Sequence, residues 1–135
     1  MPEKTKTRVL VVDDSRVDRR MLKERLLSAG YAVEEAKNGK QALEMALASP
    51  PDMIVSDALM PVLDGFRFLK KLKEDAVLKT IPFILYSATY KADEDMALAA
   101  SLGAEAYILK PKEPDELWHE IEKILKKDGK RQPVA

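Results

Sequence analysis

Short apolar runs alternate with longer amphipathic segments five times along the chain. Continuous apolar runs with β-branched residues are typical of strands buried on both faces of a parallel sheet. Apolar residues spaced three and four positions apart are typical of the helices that cover such a sheet. The predicted strands are residues 9–12, 31–36, 53–57, 83–87 and 106–109. Five helices are predicted between and after these strands. The first ends at Gly30, the second follows Asn38-Gly39, the third covers residues 64–74, the fourth covers residues 93–102 and the fifth begins at Pro114.

The first predicted helix carries recognisable signals at its start and at its end. Ser15 and Asp18 have the spacing of a capping box in which Asp replaces the usual Glu or Gln. Gly30 suits the position just past the helix end. Between these signals, the residues that recur at helical spacing are Val17, Met21, Leu22, Leu26 and Ala29.

Five strands that alternate with five helices predict an α/β fold with one parallel sheet covered on both faces. The second strand is the most polar of the five, which favours an edge position. A doubly wound, flavodoxin-like (βα)5 sheet with strand order 2-1-3-4-5 fits both observations. Residues 7–127 are expected to form one domain, and residues 128–135 a polar tail or the start of a linker. Such sheets bind ligands beyond the carboxyl ends of the strands, where strands one and three diverge.

Composition narrows the chemistry that this fold can carry. The 135 residues include no cysteine and one histidine, which excludes disulfides, thiolate zinc sites and cysteine nucleophiles. Lys and Arg total 23, and so do Asp and Glu, so the net charge of zero predicts neither direct nucleic-acid binding nor attraction to an anionic membrane. The polar N-terminus and the short apolar runs predict a cytoplasmic protein without a membrane partner.

Five chemically active side chains fall at the carboxyl ends of the predicted strands. Asp13 and Asp14 follow the first strand, Asp57 ends the third, Ser87 ends the fourth and Lys110 follows the fifth. Taken singly, the acidic pair could cap the first helix, and the others could be turn or strand-end residues. Because this fold brings all five to one edge, together they predict a site. Three clustered carboxylates repel one another and need a cation, and oxygen ligands without cysteine favour Mg²⁺.

Phosphoryl chemistry is the reaction that this set of residues favours. The 5 glycines are scattered along the chain, so it has neither a Walker loop nor a dinucleotide fingerprint. A metal ion and Lys110 would neutralise phosphate oxygens, and Ser87 would donate a hydrogen bond. Asp57 could then attack phosphorus and form an acyl phosphate. Two functions stay open: a phosphoacceptor signalling domain, and a small Mg²⁺-dependent phosphohydrolase with Asp57 as nucleophile.

Five short motifs occur in order along the chain at compatible spacing. They are residues 11–15 (VVDDS), 57–65 (DALMPVLDG), 87–88 (SA), 103–104 (GA) and 107–111 (YILKP). Together they resemble the receiver domains of two-component response regulators, over nearly the whole chain. Hydrolases of similar sheet architecture usually carry Asp-x-Asp after strand one and a cap over the substrate, whereas this chain has an adjacent pair and no insertion of that size.

The resemblance implies a phosphoacceptor, not a dedicated enzyme, and it implies a role for each site residue. Asp57 would take a phosphoryl group from a phosphohistidine, with Mg²⁺ required. Ser87 and Lys110 would contact the phosphoryl oxygens, and the peptide bond before Pro111, often cis in this family, would aim Lys110 into the site. The implied Mg²⁺ ligands are Asp13, Asp14, Asp57 and the main-chain carbonyl of Leu59.

The resemblance also implies a conformational switch and its partners. Ser87 and Tyr107 would change conformation and reshape the surface formed by the fourth helix, fifth strand and fifth helix. The implied partners are a sensor histidine kinase or phosphotransfer protein and an output domain or protein on that surface, with phosphorylation-dependent homodimerisation left open. Leu59 and Thr89 lie two positions beyond Asp57 and Ser87. Neither side chain can activate a water, so we expect slow self-dephosphorylation.

Overall fold

A computed structural model of the chain describes residues 6–88, 92–110 and 114–128. Within these residues, strands and helices alternate along the chain. The strands are β1 Arg8–Val12, β2 Ala32–Ala36, β3 Met53–Ser56, β4 Phe83–Ser87 and β5 Ala106–Leu109. The helices are α1 Arg16–Ser28, α2 Gly39–Ala48, α3 Gly65–Lys73, α4 Ala92–Leu102 and α5 Pro114–Asp128, with a 3₁₀ turn at Leu78–Thr80 before β4. No helix in the described part is both long and apolar enough to cross a membrane.

The five strands form one parallel sheet in the order β2-β1-β3-β4-β5. This order confirms the predicted doubly wound fold, including the edge position of the most polar strand. The register pairs Val12 with Ala36 on one side and with Ser56 on the other, and it pairs Ser56 with Leu85. The residues that follow these strands therefore meet at a single edge of the sheet.

Each face of the sheet is covered by its own apolar core. Side chains alternate between the faces of a strand, so Leu10 and Val12 pack toward α2, α3 and α4, whereas Val9 and Val11 pack toward α1 and α5. Both pairs are buried, which explains why β1 reads as a continuous apolar run. The helix residues buried on the second face are Leu22, Leu26, Leu117, Ile121 and Leu125.

Helix α1 buries a narrower stripe than its sequence suggests. Leu22 and Leu26 are buried, but Val17 and Met21 leave 67% and 61% of their surfaces exposed. At 3.6 residues per turn, Met21 and Leu22 point about 100° apart around the helix. The face of α1 that packs on the sheet accommodates only Leu22 and Leu26, so Val17 and Met21 lie in solvent.

Only one half of the predicted capping box forms at the start of α1. The Ser15 hydroxyl accepts the Asp18 N–H at 3.2 Å, as an N-cap does. The reciprocal bond is absent from the described contacts of Ser15, because the Ser15 N–H donates to Asp13 Oδ1 at 2.8 Å. The Asp18 carboxylate is therefore available for another partner.

Candidate functional site

Hydrogen bonds that extend the sheet position the residues just past the strand ends. The Asp57 N–H donates to the Val12 carbonyl at 2.8 Å, and the Asp13 N–H donates to the Ala36 carbonyl at 3.1 Å. The Lys110 N–H donates to the carbonyl of Ser87 at 3.1 Å. These backbone hydrogen bonds place Asp13, Asp57 and Lys110 at the same edge of the sheet.

The structure brings together the three carboxylates that the sequence predicts as a cluster. Asp13, Asp14 and Asp57 each offer one oxygen, and these oxygens lie within 4.8 Å of one another. Asp13 is only 5% exposed, whereas Asp14 is exposed and Asp57 is half-buried. The cluster therefore spans the path from the buried strand end to solvent.

Lys110 lies in the middle of this acidic group. Its ammonium donates to Asp13 Oδ2 at 2.6 Å and lies 3.7 Å from Asp57 Oδ2. It also donates to Asp18 Oδ2 at 3.0 Å. Burial works to lower the pKa of Lys110, but its hydrogen bond to Asp13 and the charge of Asp57 outweigh it, so the pKa is raised. Lys110 therefore carries a positive charge at neutral pH.

Burial is the main influence on the pKa of the Asp13 carboxyl group. Burial raises its pKa, and the nearby charge of Asp57 raises it further, although the hydrogen bonds from Lys110 and Ser15 act in the opposite direction. The net shift is upward. Burial is the largest of these effects and the charge of Asp57 the smallest, so the shift records mainly the poor solvation of the Asp13 carboxylate, and a further cation would stabilise its ionised form.

Asp57 presents its two oxygens differently. Its Oδ1 accepts the Ala58 N–H at 2.7 Å, with the Leu59 N–H at 3.5 Å, whereas its Oδ2 faces Lys110. The loop between β3 and α3 returns close to Asp57 at Gly65. Only a glycine fits there, since an added Cβ would lie 2.2 Å from the Asp57 carbonyl oxygen. The Leu59 side chain is 59% exposed at the mouth of the site.

The residues present fit Mg²⁺. A hard divalent cation prefers carboxylate and carbonyl oxygens, and three carboxylates converge here. Asp13 is buried, which disfavours its ionised form, and a cation would offset that effect. The chain has no cysteine, so softer thiolate chemistry is absent.

Ser87, at the end of β4, and Tyr107, inside β5, lie on neighbouring strands close to the carboxyl edge. Ser87 is 1% exposed, and its hydroxyl lies near enough to the half-buried Tyr107 phenol to act on the pKa of that phenol, which it lowers. The same phenol lies 3.4 Å from Asp95 Oδ2 on α4. Burial raises the pKa of Tyr107, and the charge of Asp95 adds to this, so the phenol stays protonated and donates to Asp95. These contacts connect the edge of the sheet with α4.

Three residues at or near the site were not predicted from the sequence. Asp18 contacts Lys110, and Asp95 contacts Tyr107. Arg19 donates to the Asp13 carbonyl at 2.7 Å and to Glu35 at 3.1 Å, so it connects the site to β2. A usable signal existed for Asp18 and Arg19, because the first turn of a helix that follows β1 must begin at this edge. Nothing in the spacing of Asp95 indicates its contact.

Two predicted features lie outside the described residues. Thr89 and Pro111, which carry part of the lifetime prediction and the proposed cis peptide bond, both fall in the gaps. The predictions about them stay as predictions.

The family model for the response regulator receiver domain matches residues 9–122. The two-component response regulator ORR3 of rice is 37% identical over 120 residues, which cover 88% of this chain and 91% of that protein. The probable transcriptional regulator ycf27 of Guillardia theta is 34% identical over 126 residues, 93% of this chain. The chain spans 48% of the length of that regulator.

Solved structures agree with the sequence comparisons. The chemotaxis response regulator CheY4 of Vibrio cholerae superimposes with a TM-score of 0.83 at 34% identity, over 89% of this chain and 99% of that chain. The signal receiver domain of a histidine kinase from Syntrophus aciditrophicus gives a TM-score of 0.84 at 30% identity, over 96% and 97% of the two chains.

Proposed function

This chain belongs to the response regulator receiver domain family, and we propose that Asp57 accepts a phosphoryl group from a phosphohistidine of a sensor kinase or phosphotransfer protein. One observation carries the proposal. The Asp57 carboxylate shares a cluster of oxygens within 4.8 Å with Asp13 and Asp14, and its Oδ2 lies 3.7 Å from the Lys110 ammonium. A nucleophile between a cation site and a fixed ammonium suits transfer of a charged phosphoryl group.

Asp13, Asp14, Asp57 and the main-chain carbonyl of Leu59 would hold Mg²⁺. When bound, the ion would neutralise charge on the phosphoryl oxygens and on the carboxylates themselves. The half-buried Asp57 and exposed Asp14 leave the cluster open toward solvent, where a phosphodonor arrives.

The transfer step follows from the two environments of the Asp57 oxygens. Oδ1 is held by the Ala58 N–H, so Oδ2 is the nucleophile. Its electron pair forms the new O–P bond, while the P–N bond of phosphohistidine breaks and leaves its pair on the imidazole nitrogen. Lys110 donates a hydrogen bond to a phosphoryl oxygen, and the Ser87 hydroxyl donates another. The product is a mixed anhydride on Asp57.

The contacts of Ser87 support a route from the phosphoryl group to the surface. Ser87 lies near the Tyr107 phenol and lowers its pKa, and the phenol contacts Asp95 on α4. A Ser87 hydroxyl that turns to the phosphoryl group moves away from the phenol, and Tyr107 then repacks between β5 and α4. The output partner reads the resulting change on the α4–β5–α5 surface.

The proposal is tested by incubating the protein with Mg²⁺ and acetyl phosphate and following both intact mass and released phosphate. A receiver gives a single acid-stable phosphoryl adduct per chain. Repeated turnover of a phosphoester with no accumulated adduct would instead support the hydrolase that the sequence left open. Asp57→Asn, which keeps the size of the side chain, should form no adduct.

A further inference from the structure

The Lys110 ammonium has a carboxylate partner that none of the roles above requires. Asp18, in the first turn of α1, accepts from it at 3.0 Å, which is closer than the 3.7 Å between Lys110 and the proposed phosphoacceptor Asp57. The Asp18 side chain is 44% exposed, and Lys110 is 12% exposed. An aspartate at the rim of the site therefore holds a largely buried cation.

The start of α1 explains how Asp18 reaches Lys110. Its N–H is fixed by the Ser15 hydroxyl, which sets the backbone of the first turn. The Ser15 N–H, which a capping box would offer to the Asp18 carboxylate, is taken by Asp13. The Asp18 contact with Lys110 is therefore separate from its contribution to the helix cap.

Asp18 and a phosphoryl group compete for hydrogen bonds from the Lys110 ammonium. An ammonium has three N–H donors, and two of them are directed to Asp13 and Asp18. Asp18 also adds a fourth carboxylate around a site that must admit a phosphodonor dianion. Both effects oppose binding of the donor before any bond forms.

We propose that Asp18 is a positioning residue that holds Lys110 on the α1 side of the site and thereby raises the concentration of phosphodonor needed for phosphorylation. The inference rests on the proposed function, in which Lys110 contacts the phosphoryl oxygens. Asp18 touches neither phosphorus nor metal in this account, and its effect passes through Lys110. It therefore acts on donor binding more than on the maximal rate.

The test compares phosphorylation rates over a range of acetyl phosphate concentrations at saturating Mg²⁺. Asp18→Asn keeps the backbone cap and removes the charge, so the half-saturating concentration should fall about fivefold while the maximal rate changes less. Asp18→Glu, which restores a carboxylate on a flexible side chain, should return the value toward that of the wild type. Glu24→Gln removes the same charge from an exposed position six residues farther along α1 and is the matched control.

Each outcome separates this inference from the proposed function. An unchanged or higher half-saturating concentration in Asp18→Asn overturns the role of Asp18 while leaving phosphorylation of Asp57 in place. An equal fall in Glu24→Gln also overturns it, because the effect would then be one of overall charge. A wild-type protein that takes no phosphoryl group overturns the proposed function, and the inference fails with it.

Discussion

The two ends of β1 both carry charged residues, but their charges are balanced differently. At the amino end, Arg8 pairs with Glu34 at 2.7 Å, donates to the carbonyls of Ser49 and Pro50, and offers its main-chain N–H to Asp52 at 2.8 Å. At the carboxyl end, the single ammonium of Lys110 faces several carboxylates at once.

This difference separates a structural ion network from a functional one. At the amino end, the terminal N–H donors of the Arg8 guanidinium are directed to one carboxylate and two carbonyl oxygens. At the carboxyl end three carboxylates lie together, and burial, with a smaller contribution from the charge of Asp57, raises the pKa of Asp13. Stability alone would not favour such a cluster of carboxylates, whereas the proposed cation site would account for it.

The largest expected effect comes from removing the Lys110 ammonium, which contacts Asp13 at the carboxyl end. Lys110→Ala leaves Asp13 buried without its ammonium partner, so without Mg²⁺ the free energy of unfolding should fall by about 3 kcal/mol. Arg8→Ala should cost about 1 kcal/mol, because its ion pair is more exposed. Chemical denaturation of both variants measures the contrast.

Magnesium distinguishes the two variants further. Mg²⁺ should recover much of the stability of Lys110→Ala, since it binds the carboxylates that the lysine leaves, and it should not rescue Arg8→Ala. If Mg²⁺ does not change the free energy of unfolding of Lys110→Ala, the proposed difference between the two ends of β1 is contradicted.

The mouth of the carboxyl end should control how long the phosphoryl group survives. The exposed Leu59 can neither orient nor deprotonate a water. Leu59→Asn combined with Thr89→Glu should therefore speed loss of the phosphoryl group about tenfold. Intact mass over time measures the decay, and a double variant that decays as slowly as the wild type contradicts the prediction.

The same chemical substitution should have opposite signs at the two ends. Asp57→Asn removes a charge that repels Asp13, so the free energy of unfolding without Mg²⁺ should rise by about 1 kcal/mol. Asp52→Asn weakens the acceptor of the Arg8 N–H and should lower it by about 0.5 kcal/mol. If Asp57→Asn instead lowers the free energy of unfolding, repulsion between the carboxylates at the carboxyl end is not the dominant effect.

The smallest effect concerns the support of the site by β2. Hydrogen bonds from Lys23 and Arg19 lower the pKa of Glu35 below its ordinary value of 4.5, and burial opposes them only in part. The stabilisation is therefore fully present above pH 4.5 and is lost as the pH falls through the lowered folded value. Glu35→Gln should cost about 0.5 kcal/mol at pH 7 and nothing in strong acid. A loss that is independent of pH would refute this charge-based explanation.

The strand ends were readable from the sequence because buried parallel strands appear as uninterrupted apolar runs. Val9 to Val12 fixes where β1 stops, and the fold then places Asp13 and Asp14 at the carboxyl edge. The rotation of α1 about its axis was not readable, since two apolar stripes compete along it. That rotation exposes Val17 and turns Asp18 toward Lys110, so the second partner of the lysine emerged only in three dimensions.

The central claim is that the unbalanced end of the sheet accepts a phosphoryl group on Asp57. Its most direct test is mass mapping of the protein after acetyl phosphate treatment, with and without Mg²⁺, for the wild type, Asp57→Asn and the amino-end control Asp52→Asn. We predict one adduct, located on Asp57, dependent on Mg²⁺, retained in Asp52→Asn and lost in Asp57→Asn. An adduct of undiminished yield in Asp57→Asn, or equal labelling of the wild type without Mg²⁺, would contradict the account.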